Sequence, residues 1–164
     1  QALPRELPYK DAVYNVSRVG LLPAAMNPMV LAQAAQQGKS GVAAAPAQDA
    51  DTCACAGGTR ESPFADELAA AQAQSNALLF TATQDKLHQP YRGTLMPPST
   101  ELIALFRSKG YAAAVSGAGP CVLVLHYGNA REAIDQIASE QLASGHWRVL
   151  HLPINTAGVE IERR

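Results

Sequence analysis

Two short apolar runs, Ala112–Val115 and Cys121–Leu125, are separated only by Ser116-Gly117-Ala118-Gly119-Pro120. Two β-prone runs around so short a glycine-bearing gap read as a hairpin. Gly117 and Gly119 are expected at positive φ, where a Cβ is unfavourable, and Pro120 is expected to lead into the second strand. The second run is continuously apolar and reads as a buried strand. The turn matches neither familiar phosphate cradle. A dinucleotide loop needs a third glycine and opens into a helix, and a P-loop ends in Gly-Lys-Ser/Thr. Two readings of the turn stay open. It reverses the chain, or its bare backbone N–H groups also face a carboxylate or phosphate.

Around this hairpin the pattern is helical. Asp11 reads as the cap of a first helix carrying Ala12, Val13, Val16 and Val19 at helical spacing. Pro23 ends or kinks it, and an alanine-rich piece, residues 29–37, follows. Residues 39–62 hold no large apolar side chain beyond Val42 and read as a flexible, low-complexity insert. Its Cys53 and Cys55 offer too few ligands for a closed zinc site and read as free thiols. Ser62 followed by Pro63 starts a helix, with Asp66 and Glu67 in its first turn. Leu68, Ala71, Ser75, Leu78, Leu79 and Ala82 carry its buried stripe toward Leu87, and Pro90 stops it. Residues 85–99, DKLHQPYRGTLMPPS, read as a polar, proline-rich connection.

Ser99 reads as the cap of a helix with Leu102, Ile103, Leu105 and Phe106 on its apolar face, ending at Lys109-Gly110. Asn129 and Glu132 suggest a capping box for a helix that Ser144-Gly145 ends. Residues 147–154 alternate as a strand, and GVEIER near the C-terminus reads as an edge strand. The expected fold class is α+β, with helices packed on a small, mostly antiparallel sheet and a ferredoxin-like tail.

The chain has 164 residues, enough for one domain. A net charge of −1 with 16% charged residues argues against nucleic acid or a membrane surface as partner. No apolar run reaches the ~18 residues of a membrane span, and no signal peptide is visible at the N-terminus. Three sparse cysteines fit a reducing cytoplasm. The chain opens on Gln1 and a loop-like ALPRELP, which reads as an excerpt of a longer polypeptide.

Arg92 stands in a proline-bracketed segment. Its planar fork suits a ligand carboxylate or phosphate, and equally an acid of the fold. The blocks LPYKDAVYNVSRVGLL, ATQDKLHQPYRGTLMPPS and AAAVSGAGPCVLVL, in that order, resemble the C-terminal half of the homoserine kinases, within the GHMP small-molecule kinase superfamily. The resemblance covers most of the chain except about residues 30–62 and the tail. It implies a GHMP kinase C-terminal domain spanning 1–164, with the N-terminal ATP-binding domain outside this chain. It implies phosphoryl transfer from MgATP to the hydroxyl of L-homoserine, giving O-phospho-L-homoserine on the route to threonine. ATP and Mg²⁺ would be bound mainly by the N-terminal half, so this chain alone is expected to be inactive.

By the same resemblance Arg92 grips the homoserine carboxylate, and Ser116, Gly117 and Gly119 line the pocket by backbone. Arg18 falls in the block that approaches the substrate. Asn15 and Ser17 share that block, with a local hydrogen-bonding role as the competing reading. His88 is a candidate by neighbourhood, against a packing or capping role. No catalytic base is assigned. Two rival functions remain: another GHMP small-molecule kinase, and a non-catalytic ferredoxin-like module that binds an amino acid or dimerises. A homodimer is compatible with either.

Overall fold

In the computed structural model, residues 3–29, 63–152 and 161 are described. The insert at 39–62, with Cys53 and Cys55, lies outside them, as do most of 29–37, the Ser62 cap and nearly all of the GVEIER piece. The chain divides into two compact units, Gln1–Gly128 and Asn129–Arg164.

The first unit runs α1 (Tyr9–Val19), α2 (Leu22–Ala25), α3 (Pro63–Ala82), α4 (Gln89–Gly93), α5 (Pro97–Ser108), β1 (Ala112–Val115) and β2 (Val122–Leu125). The two strands form the expected antiparallel hairpin, with Ala112 opposite Leu125 and Val115 opposite Val122. This is an α+β unit with helices on a two-stranded sheet. The second strand is not buried, as its apolar run had suggested. Leu123 is 44% exposed, because a two-stranded ribbon has too few elements to cover both faces.

α3 presents its stripe as the spacing requires: Ala71, Ser75, Leu79 and Ala82 are all buried. Leu79 packs with Ala25 of α2 and Ala112 of β1, flanked by Leu22, Leu78, Phe80, Leu125 and Tyr127. Leu102 and Phe106 bury the inner face of α5. Most of the fully buried apolar positions are alanines, so polar ties do much of the joining. Arg107 on α5 is the chief one. Its Nη2 donates to Phe80 O at 2.7 Å, and its Nη1 donates to Thr83 Oγ1 and Ala113 O, both at 3.0 Å. Its guanidinium also lies 4.2 Å over the Phe80 ring. One fork thereby satisfies a carbonyl in the last turn of α3 and joins α3, α5 and β1. A second tie is Asn76 on α3. It accepts from Tyr127 N at 2.8 Å and donates to Tyr127 O at 3.1 Å, just beyond β2.

Several helix boundaries differ from the sequence reading. α1 starts at Tyr9 after Pro8, so Asp11 sits in the first turn instead of at the cap. Its Val13, Val16 and Val19 are exposed, and the half-buried face carries Tyr14, Asn15 and Arg18. Pro23 falls in the first turn of α2, where its lack of an N–H costs nothing. α3 ends at Ala82, earlier than expected, and the polar connection after it contains α4. α5 begins at Pro97, which puts Ser99 inside the helix. Ser99 is buried, and its hydroxyl donates to Pro120 O at 2.6 Å. Lys109 and Gly110 end α5 as read, with Gly110 at φ 85°.

In the second unit α6 (Arg131–Ile137) and α7 (Ser139–Ala143) replace one expected helix, with buried Ala138 at the break. Ala130 is the N-cap residue and no side-chain capping bond forms, so the Asn129–Glu132 box is not made. Residues 147–152 form no strand. Alternation makes a strand only where a partner offers its backbone, and Leu150 and Leu152 there are 61% and 77% exposed.

Replacing Arg107 with Leu is expected to cost about 2–4 kcal/mol in urea denaturation, because it leaves the Phe80 and Ala113 carbonyls without their charged donor. Arg107→Lys should recover less than half, since an ammonium cannot reproduce the fork. A loss below about 0.5 kcal/mol would refute the tie. Partial burial lowers the His126 pKa below its ordinary 6.5. The Asn76 amide agrees: its Oδ1 accepts from the Tyr127 N–H, so the group 3.2 Å from His126 Nε2 is the donor Nδ2. A protonated ring would set two donors face to face. The unfolded chain therefore takes this proton at higher pH than the folded one. Its contribution to stability is full above 6.5 and declines as pH falls below it. A pH series of unfolding free energies should show this slope in the wild type and a flatter one in His126→Phe.

Candidate functional site

The hairpin turn and the α4 segment are built against each other. Ser116 N donates to Cys121 O at 2.8 Å and Gly119 N donates to Ser116 O at 3.1 Å, closing the turn. Gly117 and Gly119 take φ of 59° and 82°, as the sequence required. The positive φ favours glycine at 119, and a Cβ there would also require the Met96 side chain to shift. No atom would meet a Cβ on Gly117, which lies open to solvent. The Ser116 and Gly119 N–H groups are engaged in closing the turn, and those of Gly117 and Ala118 bond to no group among the described residues.

Two hydrogen bonds and one packing contact fasten this turn to the preceding segment. Val115 N donates to Gln89 Oε1 at 3.0 Å, Met96 packs on Gly119, and Ser99 donates to Pro120 O. Between Gln89 and Met96 lies Arg92, at the C-terminal end of α4 and not in an extended loop. Its Nη1 is 3.0 Å from Nε2 of half-buried His88. Among the described residues no carboxylate pairs with Arg92. The fork is therefore oriented by His88 through one of its arms and is half-buried.

α4 is five residues long, too short to persist alone. Asp85 organises it. Asp85 Oδ1 accepts from Leu87 N at 2.8 Å, and Oδ2 accepts from His88 N and Gln89 N at 3.0 and 2.6 Å. Asn15 of α1 donates from Nδ2 to the same carboxylate, and its Oδ1 accepts from Lys86 N at 2.9 Å. Burial alone would raise the Asp85 pKa. The bonds from Asn15 and from the Gln89, Leu87 and His88 N–H groups outweigh it and hold the carboxyl below its ordinary value.

The neighbouring residue Gln84 binds α1 a second time. Its Oε1 accepts from Tyr14 OH at 2.5 Å and from Arg18 Nε at 3.3 Å. Arg18 Cζ and Lys86 Nζ lie 4.3 and 4.2 Å from the centroid of the Tyr14 ring. Arg18 is thus held by its Nε and its stacking, while its Nη groups donate to nothing among the described residues. Ser17 donates back to Tyr14 O at 2.7 Å within α1, a local bond.

The residues singled out from sequence therefore divide. Arg92, His88, Ser116, Gly117 and Gly119 lie on two segments that are bonded together. Asn15 and Arg18 lie on α1, tied to the α3–α4 connection. Sequence reasoning missed Gln84, Asp85, Gln89 and Met96. A signal for Asp85 was present: an acidic residue just ahead of a proline-initiated turn is a capping pattern. Gln89 and Met96 had none, because their partners lie in the distant hairpin. Among the described residues no helix is long and apolar enough to cross a membrane, and no group of three His, Cys, Asp or Glu side chains could hold a metal ion.

Residues 64–143 match the family model for the C-terminal domain of GHMP kinases. Along 98% of its length the chain is 33% identical to the homoserine kinase of Leifsonia xyli subsp. xyli, covering 35% of that protein. It is 31% identical over 97% of its length to the homoserine kinase of Clavibacter michiganensis subsp. michiganensis, covering 36% of it. Against the homoserine kinase of Corynebacterium aurimucosum, identity reaches 45% over 52% of the chain and 26% of the relative. The chain spans about a third of the length of the first two relatives. The segment 64–143, which carries Arg92 and the glycine turn, thus matches the C-terminal domain of the GHMP kinases, with homoserine kinases among the relatives of the chain.

Proposed function

We propose that this chain is the C-terminal part of a homoserine kinase and that it supplies the grip on the amino-acid carboxylate. The observation that carries the reading is Arg92. It is steered by His88, joined through Gln89 to the glycine turn, and has no carboxylate partner among the described residues. A bidentate pair with the substrate carboxylate would complete it. Arg18, fixed by Gln84 and Tyr14, offers a second cation on α1. The N–H groups of Gly117 and Ala118 give the turn a polar wall.

In the proposed reaction the homoserine hydroxyl oxygen bonds to the γ-phosphorus of ATP. The bond from that phosphorus to the β,γ-bridging oxygen breaks, ADP leaves, and the hydroxyl proton is released. Such transfers depend mainly on positioning and charge neutralisation, and positioning is what these residues supply. The donor set described above does not fit a Mg²⁺ site, so ATP and Mg²⁺ are assigned no ligand on it. The same reading has the enzyme working in the cytoplasm, in keeping with its sparse cysteines.

The test is a coupled ADP-release assay of the full-length protein carrying this chain, with ATP, Mg²⁺ and L-homoserine. Arg92→Ala is expected to lower kcat/KM for homoserine about 100-fold, chiefly through KM, and to leave the KM for ATP within about twofold. Wild-type enzyme without homoserine-dependent turnover would refute the function and direct the search to other small-molecule acceptors. Turnover that is insensitive to Arg92→Ala would refute the residue.

A further inference from the structure

Asn15 was a candidate for touching substrate, but both ends of its amide are already engaged. Nδ2 donates to Asp85 and Oδ1 accepts from Lys86 N. Asp85 in turn accepts from three consecutive backbone N–H groups, those of Leu87, His88 and Gln89. Those residues are where α4 begins, and Arg92 stands one turn later, with His88 against its Nη1. Asn15 and Arg18 are three residues apart on α1 and share a face. We infer that Asp85 is a positioning residue, clamped by Asn15, that fixes α4 against α1 and so aims Arg92 at the substrate carboxylate. The inference rests on the role given to Arg92 above.

The physical reasoning is direct. A five-residue helix has no interior to hold its shape, and its first N–H groups have no intrahelical acceptor. An ionised carboxylate that takes those of His88 and Gln89, together with the Leu87 N–H just before them, fixes their direction, with charge-assisted bonds stronger than neutral ones. The Asn15 amide reads both sides of the Asp85–Lys86 junction, so it sets register as well as distance. Loss of the clamp should leave Arg92 chemically intact but dispersed in direction, and dispersed geometry weakens carboxylate capture.

The experiment compares Asp85→Asn, Asn15→Asp and the double exchange in the full-length protein, with thermal unfolding to confirm that each folds. Two readouts are taken: KM for homoserine and for ATP, and hydrogen–deuterium exchange of the peptide 86–93. Asp85→Asn is expected to raise the homoserine KM about tenfold, leave the ATP KM within about twofold, and speed exchange at 86–93 about tenfold. Asn15→Asp sets two carboxylates together and should behave likewise. The double exchange restores a donor–acceptor pair of opposite sense between residues 15 and 85, but not the charge or the second acceptor oxygen at 85, and should recover part of both losses, which a merely destabilised chain would not do. An unchanged homoserine KM in folded Asp85→Asn, or equal losses for both substrates without rescue, would overturn the inference. Should the wild type not turn over homoserine, the proposed function fails and exchange alone decides the clamp. Acceleration in Asp85→Asn that the double exchange partly reverses upholds it, and unchanged exchange, or acceleration without any reversal, overturns it.

Discussion

The Asp85 carboxylate is the interaction on which the candidate site depends. Remove it and the N–H groups of Leu87, His88 and Gln89 lose their acceptor, α4 loses its start, and Asn15 loses its hold on the segment. The consequences then travel along covalent structure. His88 positions Arg92, and Gln89 holds Val115 at the mouth of the glycine turn. Four donors on one carboxylate favour its ionised form against burial. The anchor is therefore electrostatic, and it is local to a stretch with almost no apolar core of its own.

Arg107 plays the complementary part at the C-terminal end of α3. Asp85 collects N–H groups ahead of α4, while Arg107 donates to Phe80 O in the last turn of α3. Each charge meets the backbone groups of opposite polarity that helix ends leave over. The buried apolar positions are mostly small, with Leu79 the large fully buried side chain among the described residues. Alanine faces allow helices and the hairpin to approach closely but bury little area per residue. Directional ties then decide how the elements are arranged.

What was legible in the sequence follows from this division. The hairpin, its two positive-φ glycines, the α3 stripe and the Lys109-Gly110 ending were all read correctly, because each is set by neighbours in sequence or by helical period. The failures arose where tertiary partners decide. Ser99 has the chemistry of a cap but donates to Pro120, twenty-one residues away. The valines of α1 have the period of a buried face, yet it is Tyr14, Asn15 and Arg18 that turn toward the α3–α4 connection. Residues 147–152 alternate like a strand without a ladder to join. Arg92 and the glycine turn stood out by residue type and by glycine and proline punctuation, and the resemblance supplied their roles; periodicity could have given neither. Asp85 was missed for a different reason: it was read as part of a linker, although a linker with a capping acid and a proline can be a helix start.

The reversed polarity of α1 bears on function. A helix whose inner face is Tyr14, Asn15 and Arg18 cannot be held there by the hydrophobic effect alone. It is held by named partners, Gln84 and Asp85, and both lie immediately before the segment that carries Arg92. Any displacement of α1 therefore moves Arg18 directly and strains Arg92 through the clamp. Two cations on different elements are thus mechanically linked, although among the described residues no direct bond or shared acid joins them. For a reaction governed by placement of a small amino acid, such linkage has a clear use. In the proposed phosphoryl transfer, the substrate carboxylate would be held at a fixed angle while its hydroxyl is presented elsewhere.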